Sequence, residues 1–274
     1  MPTFKPQTPT IVDPTGVPPG NEPRPMGTTT DTSRAEIVEE TGGTPRVDFD
    51  NTSNPYIDYQ SIDLLLTLQH PRSDAYDETC FFIMGQVKEL LFKSLHFELH
   101  NARHLIRGDQ VHDALLVLDR SLEITKLLIN TWDVVATVSA EGFNQFRNHL
   151  DQASGQLSFM FRHVEFILGN KDRHLASAHR NVPHVWPHIK EALESPSLYD
   201  EVITMLDRRG FAIDPGALDR DWSDPYPPDQ SVEQAWFDIY DDPRTGNDLY
   251  RLAETLVALD EQMTLYRWRH FVLV

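Results

Sequence analysis

The sequence has almost no cysteine, too few basic residues to balance its acids, and no long apolar run. Cys80 is the sole cysteine among 274 residues, so no disulfide can close within the chain. A single thiol suits a reducing, cytoplasmic setting. Lys and Arg number 24 against 42 Asp and Glu, a formal charge of −18, and the basic residues are scattered rather than striped. That balance repels phosphate backbones and sets nucleic-acid binding aside. No apolar stretch approaches the ~20 residues of a membrane span, and no charged-then-apolar leader opens the sequence. Segments of alternating polar and apolar residues, the mark of half-buried strands, are missing too. What is present is a 40% share of hydrophobic residues, enough for a sizeable core.

Residues 1–25 are dense in Pro and Thr, with Pro18, Pro19, Pro23 and Pro25 close together. Such a stretch buries too little apolar surface to offset chain entropy. The reading is a disordered arm over residues 1–52 and one helical domain over 53–274. In that domain Val111, Leu115, Leu118, Leu122 and Ile129 recur at three- and four-residue steps. Residues 156–168 repeat the pattern through Leu157, Met160, Phe161, Val164 and Ile167. A third stripe runs Leu249, Leu252, Leu256, Leu259, Met263, Tyr266. Gly108 and Asp109 punctuate the first two long helices, and Gly169-Asn170 ends another. Residues 183–228, rich in proline, read as short helices joined by ordered loops. The fold class is all-α.

Two polar residues fall on these stripes. His270 extends the last series by one step and should face the core. Arg147 sits four residues after Phe143 and three before Leu150, so it should face inward as well. A core histidine bonded to a backbone carbonyl and a structural ion pair are the plain readings of the two. A ligand role is the other. His96, His100 and His104 lie at i, i+4 and i+8, where two could share a metal. No HExxH and no paired Glu-x-x-His accompany them, which favours a solvated or partly packed row. Asp119, Arg120 and Glu123 read as ordinary surface charge pairing.

Several ordered segments together carry a resemblance. FRNHLDQASGQLSFMFRHVEFILGNK (146–171) holds an Arg, a Ser-Gly pair and an aromatic helix ending Glu-Phe-x-Leu-Gly-Asn-Lys. YIDYQSIDLLLTLQHP (56–71) precedes it; SPSLYDEV (195–202), RDW (220–222) and YRWRH (266–270) follow. In this order the segments resemble the tryptophan 2,3-dioxygenase family, over about residues 56–274. The related indoleamine dioxygenases fit the same motifs less well.

The resemblance implies an all-helical haem protein that inserts O₂ across the indole C2–C3 bond of L-tryptophan to give N-formylkynurenine. It implies haem b, with His270 as the iron ligand and Trp132, Ser154, Gly155 and Gly85 around the macrocycle. It implies Arg147 for the substrate carboxylate and Phe81 and Phe143 for the indole. Tyr56, Tyr59 and Gln60 match a segment that reaches a neighbouring subunit of a homotetramer. The sequence departs from the family in three places. Gly85 stands where a distal histidine is usual. Phe143 stands where tyrosine is more common. Only four residues follow His270, where the family continues into a Gly-rich, Thr-containing loop. These departures keep two alternatives open: a haem oxygenase acting on a modified tryptophan in secondary metabolism, and a haem-binding or interaction protein without turnover.

Overall fold

A computed structural model describes residues 4–16, 20, 22–24, 26–44, 54–151, 153–244 and 246–273. Among them are thirteen α-helices, three short 3-10 turns and no strand. The chain divides into two compact units, residues 17–70 and residues 1–16 with 71–274.

The smaller unit holds α1 (Asp31–Thr41), α2 (Pro55–Gln60) and α3 (Ile62–Leu65). Thr30 caps α1 in a reciprocal arrangement with Ser33, and Gly42, in the left-handed region at φ 64°, ends it. No residue of α1 is buried. Asn54 caps α2, and Arg24 ties the turn beyond it by bonds to Asp58 and Asp63.

In the larger unit two long helices set the frame, α4 (Tyr76–Arg107) and α5 (Val111–Val135). Both are amphipathic, with Phe92, Leu95, Leu99, Leu105 and Ile106 of α4 buried against Leu115, Leu118, Ile124 and Leu128 of α5. Gly108 and Asp109, the latter at φ 59°, turn the chain between them. Then come α6 (Ala140–Phe146), α7 (Phe159–Leu168), α8 (Arg173–Ser177), α9 (Trp186–Glu194), α10 (Leu198–Arg208), α11 (Pro215–Leu218), α12 (Gln230–Tyr240) and α13 (Asp248–Leu273). Helix α5 packs on α4 along one side and on α13 along the other. Helices α7 and α10 cover α4.

The motif residues that looked diagnostic are largely latches. Glu165, 3% exposed, pairs with the fully buried Arg162 at 2.5 Å and with Arg267 of α13 at 3.2 Å, and accepts from Asn170. Lys171 Nζ donates to the carbonyls of Ala192 and Ser195. Asp200 accepts from Ser197 in a capping box and pairs with Arg220 at 2.7 Å. Gly169, at φ 102°, ends α7 as the sequence implied. Asp119, Arg120 and Glu123 pair with Arg251, Glu98 and Lys126; the first two of these tie α5 to α13 and α4.

The N-terminal residues differ from the reading of one disordered arm over 1–52. Phe4 and Ile11 pack against the main core, and the backbone of Gln7 exchanges two hydrogen bonds with the buried Asn101 side chain. Three apolar residues, Phe4, Ile11 and Val12, give this stretch enough surface to bury despite its prolines. Residues 45–53 lie outside the described ones.

Candidate active site

Two aromatic groupings lie along one face of α4. At its N-terminal end Phe81 meets Phe143 (ring centroids 5.9 Å) and Phe146 (5.4 Å), and the last two meet edge-on at 5.2 Å. Phe146 is fully buried, while Phe81 and Phe143 are half-buried and line the open side. Gly142 makes this docking possible, because a Cβ there would overlap the Asp77 carboxylate of α4. Ser139, whose hydroxyl accepts from the Gly142 N–H, starts α6 at the right place.

Two turns further along α4, about 10 Å away, lies the second grouping. Trp132 of α5 stacks on His270 of α13, centroids 5.0 Å apart and planes 17° apart. Tyr266, one turn before His270, is buried against Trp132, Phe92 and Phe161. The Glu165–Arg267 bond clamps the same turn of α13 to α7. His270 itself is half-buried, and neither ring nitrogen bonds to a described residue. Burial, and then the nearby Lys88 charge, lower its pKa, which favours the neutral imidazole. Gly155 lies against that ring: a Cβ there would stand 3.1 Å from Cε1 and 3.2 Å from Nε2.

Lys88 was not singled out by the sequence. It follows Phe81 by seven positions and Gly85 by three, which puts all three on one face of α4. Its Nζ sits 3.6 Å from the centre of the Trp132 ring, a close cation–π contact. Burial pushes its pKa down to about 8.

The other expected residues are more dispersed. A Cβ at Gly85 would meet nothing within 4 Å, so this face of α4 opens into space. Arg147 is exposed rather than core-facing: α6 ends at Phe146, and Arg147 begins a 3-10 turn that rotates it off the stripe. It pairs with no described acid. Ser154 is exposed and its hydroxyl accepts from the Gln156 N–H. Tyr56, Tyr59 and Gln60 belong to the smaller unit and are exposed, Tyr59 to 76%. The His96, His100 and His104 row does not converge. His96 is buried against His163 (5.0 Å between centroids), and His104 lies outside beside Gln7. Among the described residues no three His, Cys, Asp or Glu side chains are placed to hold a metal ion.

A sequence profile of the family described as tryptophan 2,3-dioxygenase matches residues 40–185. The chain is 40% identical over 229 residues to tryptophan 2,3-dioxygenase 1 of Ralstonia nicotianae, covering 84% of this chain and 78% of that one. It is 39% identical to the tryptophan 2,3-dioxygenases of Ralstonia pickettii and Burkholderia mallei, again over 84% of this chain, and over 82% and 74% of theirs. The chain belongs to the tryptophan 2,3-dioxygenase family.

That family is haem-dependent, and the residues present fit the group. A haem brings four nitrogen ligands of its own and asks the protein for one axial side chain, so a lone imidazole is the right donor set where a bare ion would need several. His270 offers ring nitrogens without partners among the described residues. Trp132 Nε1, buried and unpartnered, is a polar atom still lacking an acceptor. Gly155 keeps the space beside His270 free of a side chain. Among the described residues no helix is long and apolar enough to cross a membrane.

Proposed function

We propose that this chain is a haem-dependent dioxygenase that converts L-tryptophan and O₂ to N-formylkynurenine. The observation that carries the reading is the imidazole of His270, stacked on Trp132 and bonded to no described residue, in a chain 40% identical to a named tryptophan 2,3-dioxygenase. His270 would hold the iron of haem b, with Trp132, Ser154, Gly155 and Gly85 around the macrocycle. The haem, when bound, supplies the oxygen chemistry.

The chain's own residues bind and orient the substrate. Arg147, exposed and paired with no described acid, has its guanidinium available to take a carboxylate in a bidentate grip. Phe81 and Phe143, backed by the buried Phe146, offer an apolar wall for the indole and exclude water from it. Holding the indole in a fixed pose removes the entropy cost of encounter from the reaction step. Neither Phe143 nor Gly85 carries a hydroxyl or imidazole, so no side chain at these positions takes the indole N–H proton. Tyr56, Tyr59 and Gln60 of a second copy would complete the pocket in a cytoplasmic homotetramer; their exposure leaves them free to do so.

The open space at Gly85 favours a second reading, oxidation of a tryptophan bearing an added group, over the non-catalytic one. Haem-loaded protein reduced to the ferrous state and supplied with O₂ and L-tryptophan should form a product with the absorbance and mass of N-formylkynurenine. Haem-loaded protein that leaves tryptophan and its methylated analogues unchanged would overturn both enzymatic readings.

A further inference from the structure

Lys88 is 9% exposed and makes no ion pair with any described carboxylate. No described carboxylate offsets its charge, and the adjacent Glu89 bonds to Ser158 instead. Beside the ammonium lies the Trp132 indole, whose Nε1–H is buried without an acceptor. Two donors thus lie close together, the Lys88 ammonium over the face of the indole and the Nε1–H at its edge. A buried cation in this state is costly unless a negative acceptor joins it. Both groups border His270, and Lys88 lies on the same face of α4 as Phe81 and Gly85.

We propose that Lys88, with the Trp132 N–H beside it, is the docking point for a carboxylate of the bound cofactor, a porphyrin propionate. The proposal rests on the haem reading above. It assigns to Lys88 an anchoring role, separate from iron ligation by His270 and from the substrate carboxylate site at Arg147. An ammonium offers three donors to a carboxylate, and a charge-assisted bond in a dry corner is stronger than a neutral one.

The test compares haem with haem dimethyl ester, whose propionates are uncharged, in equilibrium titrations followed by the Soret band. Wild type should prefer haem over the ester. Lys88→Met should lose about tenfold in haem affinity and most of that preference, the loss of one charge-assisted bond. Lys88→Arg should restore both. The histidine-ligated spectrum should persist in each variant. A second readout separates anchoring from a structural role: without haem, Lys88→Met should melt no lower than wild type, because an unpaired buried charge has been removed. A histidine-ligated complex with the same ester discrimination in wild type and Lys88→Met would overturn the inference alone. So would discrimination that moves instead to tryptophan against tryptamine. A wild-type chain with no histidine-ligated haem spectrum would overturn the haem reading, and this inference with it.

Discussion

The indole of Trp132 and the imidazole of His270 lie nearly parallel, 5.0 Å apart at 17°, although 138 positions separate them in the sequence. The pairing joins α5 to the last turns of α13 and fixes the plane of the imidazole that we propose as the haem ligand. Trp132→Phe keeps the stacking face and removes the N–H; Trp132→Ala removes both. Urea unfolding should show a loss of ~3–5 kcal/mol for the alanine variant, from the cavity left behind, and a smaller one for phenylalanine. Haem titration should show weakened affinity in both, since both lack the donor. Unchanged affinity in Trp132→Phe would mean that Nε1 has no partner in the loaded protein.

Arg147 is expected to matter for binding and hardly at all for stability. Exposed substitutions away from caps and ion pairs shift stability by about 0.5 kcal/mol or less. Arg147→Leu should therefore unfold with wild type while binding L-tryptophan far more weakly. Indole, which has no carboxylate, should bind both proteins alike. Equal losses for the two ligands would remove the carboxylate role.

A buried ion pair holds the turn before His270 in place. Arg162 is 1% exposed and relies on Glu165, which also holds Arg267. Glu165→Gln leaves the Arg162 charge without its counter-ion and should cost about 3–5 kcal/mol in chemical denaturation. Replacing Arg162 as well, with Met, should recover part of that loss. A single Glu165→Gln variant as stable as wild type would show that Arg162 finds another partner.

The histidines where α4, α7 and α9 meet should set an acid limit on stability. A cavity of about 320 Å³ is lined there by His96, His100, His163 and His188, with Arg103 and Glu191. Burial, assisted by cationic neighbours, lowers His100 and His163 to about 4 and holds His96 well below its usual value. The unfolded imidazoles titrate near 6.5 (about the model-peptide value). Below that pH the unfolded chain binds protons that the folded one refuses. The stabilisation is therefore complete above pH ~6.5 and declines as pH falls toward about 4. Urea midpoints measured from pH 7.5 to 4.5 should fall along that window, and His163→Phe should flatten the decline. A parallel decline in wild type and variant would place the acid sensitivity elsewhere.

Much of this architecture could be read from the residues alone, for identifiable reasons. The stripes of α5 and α13 are long and strictly periodic, so the helices and the side of α13 that carries His270 followed from spacing. Gly169 could be read because a left-handed cap needs it. Arg147 could not, since its inward placement assumed that the helix of Phe143 and Phe146 continues, and the backbone tightens into a 3-10 turn at that residue. Lys88 was hidden by its type: a lysine in a helix normally reads as a solvated residue. Only its register with Phe81 and Gly85 pointed to the site face. The packing of Phe4 and Ile11 was masked by the prolines around them, because composition averages over a segment while burial is decided residue by residue.

The most direct test of this account is the iron ligand. Ferrous haem-loaded wild type, examined by resonance Raman, should show an iron–histidine stretching band with one axial imidazole. His270→Ala should lose that band, and added free imidazole should restore it. An iron–histidine band that persists unchanged in His270→Ala without added imidazole would contradict the assignment.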